Sequence, residues 1–258
     1  MSKAQWIRLA GRVPGISHAL RWYANRYAEG SVVTIPSGYA QGMRWKRSHV
    51  YVNGFWVGQH ELDVQAAIAR LLDPGDGFID LGANAGFFML VAAKKIGPSG
   101  WCVAVDPDAF NCDYLHAQIE LNALKNCRVL HQAATDHCGT VKFAVGIPGD
   151  STGHLAGDAE VDQGIEVSAT TIDAICQTHQ NPKLIKVDVE GAEVLVLKGA
   201  AETLKTKKPI WLMEVHSAEL GSEVRKILTD AGYRFTDLQG ETLPPSDSLP
   251  YHSIAVPV

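Results

Sequence analysis

No apolar run in this 258-residue chain approaches the ~18 to 20 residues that cross a bilayer, and the first thirty residues lack the short apolar core of a secretory signal. The expectation is a protein with no transmembrane segment that works in the cytoplasm. Cysteine is sparse and unpaired by spacing. Cys102, Cys112, Cys127, Cys138 and Cys176 are odd in number and scattered, with no Cys-x-x-Cys step, which argues against zinc or redox motifs and leaves reduced, mostly buried thiols. Internal repeats and low-complexity tracts are missing as well. Acidic residues are scarce only at the start, where residues 1 to 50 hold eight Lys and Arg against a single acid, Glu29. The chain as a whole is acidic, with a net charge of −5.

What is present is the mix of a globular protein, 46% hydrophobic and 20% charged, with length enough for one sizeable core. The basic head carries Trp6, Trp22, Tyr23 and Tyr27. It is read as one or two amphipathic helices broken at Pro14-Gly15, whose charge would suit an anionic partner or simply a solvated face. Strands are expected at Ser31 to Ile35, Met43 to Trp45 and His49 to Val52, the last turning at Asn53-Gly54, and a helix at about 60 to 72.

From there strands and helices alternate. Strand-like runs are Phe78 to Leu81, Cys102 to Val105, Arg128 to His131, Leu184 to Val189 and Ile210 to Val215, and helical stretches lie at about 85 to 96, 109 to 123, 193 to 205 and 218 to 231. That alternation predicts an α/β fold with a doubly wound, mostly parallel sheet. An insertion at 139 to 170 adds strand-like Val141 to Val145 and Ile165 to Ala169. The closing pair, Tyr233 to Leu238 and His252 to Val256, has only a loop between its members. A loop cannot make a parallel crossover, so the last strand should run antiparallel.

Phe78-Ile-Asp-Leu-Gly-Ala-Asn-Ala-Gly86 reads as a buried strand, a small-residue turn and a helix start, a place where open α/β sheets bind ligands. Gly82 and Gly86 would let a ligand approach the backbone. The turn lacks Gly-x-Gly-x-x-Gly, so it does not suit a dinucleotide's pyrophosphate, and Asp80 suits a cationic ligand instead. Asp106, at the end of the second strand, can accept ribose hydroxyl protons. Gln132-Ala-Ala-Thr-Asp136 offers small residues and a polar tip where an adenine could lie. Asp188 and Glu190 share one side of a central strand by alternation, while helix-dipole stabilisation is sufficient to account for Glu193. Met213-Glu-Val-His216 adds an acid and an imidazole at the same edge, so that Asp188, Glu190, Glu214 and His216 could converge.

These segments make the chain resemble the FkbM-type methyltransferase family from about Gly38 to the C-terminus. The resemblance is carried by Glu61, Ile79-Asp-Leu-Gly-Ala-Asn-Ala-Gly86-Phe, Val105-Asp-Pro107, Ala169-Thr-Thr-Ile-Asp173, Ile185-Lys-Val-Asp-Val-Glu-Gly-Ala-Glu193, Leu197-Lys-Gly199 and Glu214-Val-His216. Asp106 stands where the family typically has Glu. The resemblance implies a class I methyltransferase, Rossmann-like, with its S-adenosylmethionine-binding catalytic domain at 59 to 258 and accessory N-terminal helices and hairpin at 1 to 58. It implies that Glu61, Asp80, Gly82, Ala83, Asn84, Gly86, Asp106, Pro107, Ala134, Asp136 and Asp188 serve the cofactor, and that the acceptor is a hydroxyl of a sugar, glycan or natural product. N-methylation of a small molecule or peptide, or a nucleoside-binding module without catalysis, stays open.

His216 is the leading base, with Asp188 and Glu214 as alternatives, and a structural histidine as the competing account. Asp188, Glu214 and His216 could instead hold a magnesium-like ion that acidifies the hydroxyl. Glu190 and His154, the latter in the Gly-rich Ser151 to Leu155 loop, are placed on the acceptor side. Nucleic acid is not expected as a partner, since the Asn-Pro-Pro-Tyr and Pro-Cys motifs of base chemistry are missing. A homo-oligomer is left open.

Overall fold

The computed structural model describes residues 27–51, 54–146, 153–155, 164–179, 181–245 and 248–258. Residues 1 to 26 of the N-terminal helices expected on either side of Pro14-Gly15 lie outside them, as do Val52, the turn residue Asn53, Ser151 and Thr152.

Seven strands make the main sheet: β3 (Gly77–Leu81), β4 (Trp101–Asp106), β5 (Cys127–His131), β10 (Leu184–Val187), β11 (Ile210–Glu214), β12 (Tyr233–Thr236) and β13 (His252–Pro257). They lie in the order β12-β13-β11-β10-β3-β4-β5. All pairs from β11 to β5 are parallel, whereas β13 is antiparallel to both β11 and β12. The connection from β12 to β13 carries no helix among its described residues, and the ending is antiparallel as expected. The central strands are apolar nearly throughout because helices cover both faces, and all five residues of β3 are buried.

One core layer joins Phe78, Phe87, Met89, Leu90 and Leu115 to the N-terminal segment through Ile35, Trp45, Tyr51 and Phe55. The other gathers Ile79, Val103, Ile185, Trp211, Val224 and Leu228 beneath the opposite face. Helices α1 (Leu62–Leu71), α2 (Phe87–Ile96), α3 (Ala109–Leu121), α4 (Ile172–Thr178), α5 (Glu193–Lys198), α6 (Ala201–Thr206) and α7 (Ala218–Asp230) supply these layers. Several start on side-chain caps that satisfy otherwise orphaned backbone donors: Asp108 accepts from Phe110 N, Thr171 from Ala174 N and Ser217 from Leu220 N.

Two local expectations need correction, and a third gains detail. The N-terminal hairpin pairs β1 (Val32–Thr34) with β2 (Arg44–Lys46), while the described residues of His49 to Val52 form no strand and Gly54 leads into a 3-10 turn at Phe55–Val57. The helix expected over 193 to 205 is two helices. A β-carbon on Gly199 would stand 2.1 Å from the Thr135 carbonyl oxygen, and Asp173 restarts the chain as α6 by accepting from Glu202 N (3.0 Å) and Thr203 N (2.8 Å). Finally, the insertion forms a sheet of its own, in the order β6 (Ala133–Ala134), β9 (Ile165–Thr170), β7 (Gly139–Ala144), β8 (His154–Leu155).

Candidate active site

The parallel strands deliver their C-terminal ends to one edge, and the antiparallel β13 begins there. A cleft of about 720 Å³, open mouth included, lies across the ends of β10, β3 and β4. Gly82, Asn84, Asp106, Pro107 and Asp108 form one wall, Asp188, Val189, Glu190 and Ala192 another, and Gln132, Ala133 and Ala134 with Phe143, Gly153 and Leu155 of the small sheet complete it. The mixture of apolar walls with a few polar groups suits a small-molecule ligand.

Asp106 sits at the base of this cleft, buried. Its Oδ2 accepts from Asn84 N (2.8 Å), and its Oδ1 from Asp108 N (2.9 Å) and Asn111 Nδ2 (3.0 Å). Asn111 in turn accepts from the Tyr51 hydroxyl at 2.5 Å. A carboxylate offers ~four acceptor positions, so three protein donors leave about one for a ligand hydroxyl. Capture of both ribose hydroxyls by this residue alone, as read from sequence, is therefore not available without displacing a protein donor. Burial pushes the Asp106 carboxyl up to about 7 against the pull of those donors.

Gly82 lines the cleft, but the need for glycine comes from the chain itself. With φ +72°, a β-carbon there would lie 1.7 Å from the Asp188 carbonyl oxygen, and one on Gly86 would lie 2.8 Å from Leu115 Cδ2. Both glycines thus answer internal packing, and Gly82 also borders the cleft. Asp80 does not line the cleft. It is fully buried as the register partner of Lys186, whose Nζ stands 4.0 Å from Asp80 Oδ1 and donates to Asp188 Oδ2 at 2.9 Å. The cation that Asp80 meets is therefore the chain's own. Burial drives the Asp80 carboxyl up to about 6 against the opposing charge of Lys186.

Beyond Asp188 the edge continues as an ionic cluster around His216. The imidazole donates from Nδ1 to Glu193 Oε1 at 2.6 Å, and its Nε2 lies 3.2 Å from Glu190 Oε2, 3.7 Å from Glu214 Oε1 and 3.8 Å from Asp188 Oδ1. The Glu193 hydrogen bond, opposed by burial and joined by the charges of Glu190, Glu193 and Asp188, raises the His216 pKa to about 9. Glu214 accepts from the Tyr251 hydroxyl and from His252 Nε2 (3.0 Å). Burial would lift its carboxyl, but the His252 hydrogen bond, the Lys186 charge and Tyr251 outweigh it and hold the value at about 2.

The expected convergence of Asp188, Glu190, Glu214 and His216 is thus what the structure brings together, although for a different local reason. Strand β10 ends at Val187, so Asp188 and Glu190 are placed by the turn that follows it, where Glu190 takes φ +48° and Gly191 φ +100°, and not by strand alternation. Glu193, read from sequence as a helix-dipole residue, is fully buried beneath His216. Tyr251, His252, Asn111 and Lys186 escaped notice; for Lys186 the signal was a charge inside an apolar strand.

The other site candidates fall outside the cleft lining. Glu61, at φ +39°, lies 3.9 Å from His252 Nε2 on the far side of Glu214. Asp136 accepts from His137 Nδ1 on the surface, and Ala83 is buried in the turn after β3. His154 pairs with Ala144 in the small sheet, between two lining residues.

Asp188, Glu214 and His216 offer ligand atoms within 4.8 Å of one another, as do Glu61, Glu214 and His252. A divalent ion at the second set would replace the hydrogen bond from His252 to Glu214, and at the first it would require His216 to lose its proton. Glu214 is committed to Tyr251 and His252, whereas His216 Nε2 and Glu61 Oε2 are buried without a hydrogen-bond partner, so each set is only partly satisfied by the chain itself.

Among the described residues no helix is long and apolar enough to cross a membrane. No curated protein matches the chain. Similar solved structures include an FkbM methyltransferase from Methylobacillus flagellatus (16% identity, TM-score 0.48), of which the alignment covers 58% against 93% of this chain. Others are a precorrin-6y C5,15-methyltransferase from Geobacter metallireducens (12%, TM-score 0.47, 77% of this chain and 89% of that one) and an S-adenosylmethionine-dependent O-methyltransferase from Thermotoga maritima (13%, TM-score 0.45, 77% and 66%). The family itself rests on sequence: residues 80–235, from the acid of β3 through α7 to β12, match the methyltransferase FkbM domain. The chain belongs to the FkbM family of S-adenosylmethionine-dependent methyltransferases.

Proposed function

We propose that the chain methylates a hydroxyl group of a sugar, glycan or natural product, with the cofactor in the cleft above Asp106 and the acceptor oxygen at the Asp188–Glu190–His216 corner. The observation that carries this reading is that Asp188 and Glu190 belong both to the cleft wall and to the ionic cluster of His216. A methyl donor in the cleft and a proton acceptor in the cluster would then share one border. The cofactor supplies an electrophilic methyl on a sulfonium.

The chain must then align the nucleophile and take up its proton. His216 is assigned that role through Nε2. At a pKa of about 9 it is mostly protonated near neutrality, so it serves as a base only in its deprotonated fraction or once a cationic ligand in the adjoining cleft disfavours the imidazolium. A second reading, N-methylation, draws support from the same carboxylates, which would bind a protonated amine.

Glycans, polyols, macrolides and amines screened for S-adenosylhomocysteine release, with the methyl located by mass spectrometry, separate the two. Methyl on oxygen supports the proposal, and methyl on nitrogen alone overturns it. Activity that survives a chelator supports His216 as a direct base, whereas loss restored by magnesium would return the cluster to metal binding.

A further inference from the structure

Glu193 is the first residue of a six-residue helix, where a surface carboxylate would already meet the helix dipole without desolvation. Instead its side chain is turned inward and fully buried, a placement that costs free energy unless hydrogen bonds offset it. Its Oε1 accepts from His216 Nδ1 at 2.6 Å and from Gly191 N at 3.1 Å, while Oε2 has no hydrogen-bond partner. One oxygen is therefore committed to the imidazole and to the turn that carries Glu190. The opposite ring nitrogen faces Glu190, Glu214 and Asp188 at 3.2 to 3.8 Å.

We propose that Glu193 is a positioning residue that fixes His216 in the tautomer with its proton on Nδ1, leaving Nε2 as the nitrogen offered to the acceptor. A neutral imidazole has one donor and one acceptor nitrogen, and the partner at one nitrogen decides which is which. A carboxylate can only accept, and Glu193 does so at 2.6 Å while the carboxylates near Nε2 make no hydrogen bond to it, so the pairing selects Nδ1–H. It also favours the imidazolium formed when Nε2 takes the acceptor's proton, the same division of labour as between Asp and His in hydrolase triads. By holding Gly191 N as well, Glu193 ties the ring to the Asp188–Glu190 turn, so the proton acceptor and the cleft wall keep one relative position. The proposal rests on the assignment of His216 as the base.

The test combines the 15N resonances of the His216 ring, recorded where the ring is neutral, with steady-state kinetics on an identified acceptor. In the wild type, Nδ1 should be protonated. Glu193→Gln, whose amide can donate as well as accept, should mix the tautomers and lower kcat by about 10- to 100-fold, the order of loss that misplacement of a reacting group brings. KM for S-adenosylmethionine should stay within about twofold, and Glu193→Asp should recover part of kcat and of the Nδ1–H population. A glutamine variant with wild-type tautomer and wild-type kcat overturns the proposal. If the glutamine variant does not fold, the aspartate variant decides alone: wild-type kcat with the tautomer disturbed overturns the link to turnover, and a joint loss supports it. Should His216→Ala itself keep full turnover while Glu193→Gln still shifts the tautomer, the assignment of the base is what fails.

Discussion

Glu214 and His252 face each other as register partners in the antiparallel pair of β11 and β13, and His252 Nε2 donates to Glu214 Oε2 at 3.0 Å. The antiparallel ending of the sheet therefore places an imidazole at the edge that otherwise collects acids. Glu214 is ordinarily protonated around 4.5 and here is held down to about 2. A depressed carboxyl contributes stability that is present above the unfolded value and is lost as pH falls through the folded one, here between about 4.5 and 2. His252→Ala removes one cause of the depression, so its acid unfolding in urea should begin at higher pH than in the wild type. Coincident acid limbs would show that the pair does not set the Glu214 carboxyl.

Lys186 is a buried cation between Asp80 and Asp188. Lys186→Met should lower stability by about 3 to 5 kcal/mol, since removing one partner of a buried pair leaves uncompensated charge. Lys186→Met with Asp80→Asn should recover part of that loss, because the burial of an unpaired carboxylate is then avoided. Chemical denaturation of the two variants checks this, and equal loss in both would contradict it.

Turnover should rise with pH. The deprotonated imidazole is the active form of the base, so the acid limb of kcat should fall between the ordinary 6.5 and about 9, nearer the lower figure if bound cofactor opposes the ring's positive charge. His216→Ala should remove that limb and cut kcat by ~10²- to 10⁴-fold while sparing cofactor affinity. A variant that keeps the wild-type profile would remove His216 from the chemistry.

The fold was legible because the signals that set it are local. The apolar runs of β3, β4, β10 and β11 are long enough to bury, and the link from β12 to β13 shows no helical pattern that would make a parallel crossover. The site was legible as a set of strand ends, and Asp106, Asp188, Glu190 and His216 all reach the edge expected of them. What stayed hidden depends on contacts distant in sequence. Nothing beside Gly82 signals that the Asp188 carbonyl closes on it, and nothing beside Gly199 signals Thr135. Asp80 was matched to a ligand's cation because its true neighbour, Lys186, lies 106 positions away and meets it only through strand register. Glu193 was legible as a helix start, but its turn toward His216 rests on a contact 23 positions away, just past the end of β11.

S-adenosylmethionine is expected in the cleft over Asp106, and calorimetric titration of the wild type and Asp106→Ala with the cofactor and with NAD tests that placement. A hydrogen bond to a charged group contributes ~1.5 to 3 kcal/mol, so the variant should bind S-adenosylmethionine roughly ten- to a hundredfold more weakly, and NAD should not compete. Because burial puts the Asp106 carboxyl at about 7 and the ionised form is the better acceptor, wild-type affinity should also fall as pH drops through about 7, and the variant should lack that dependence. Unchanged affinity in Asp106→Ala, or tighter binding of NAD, would contradict the claim.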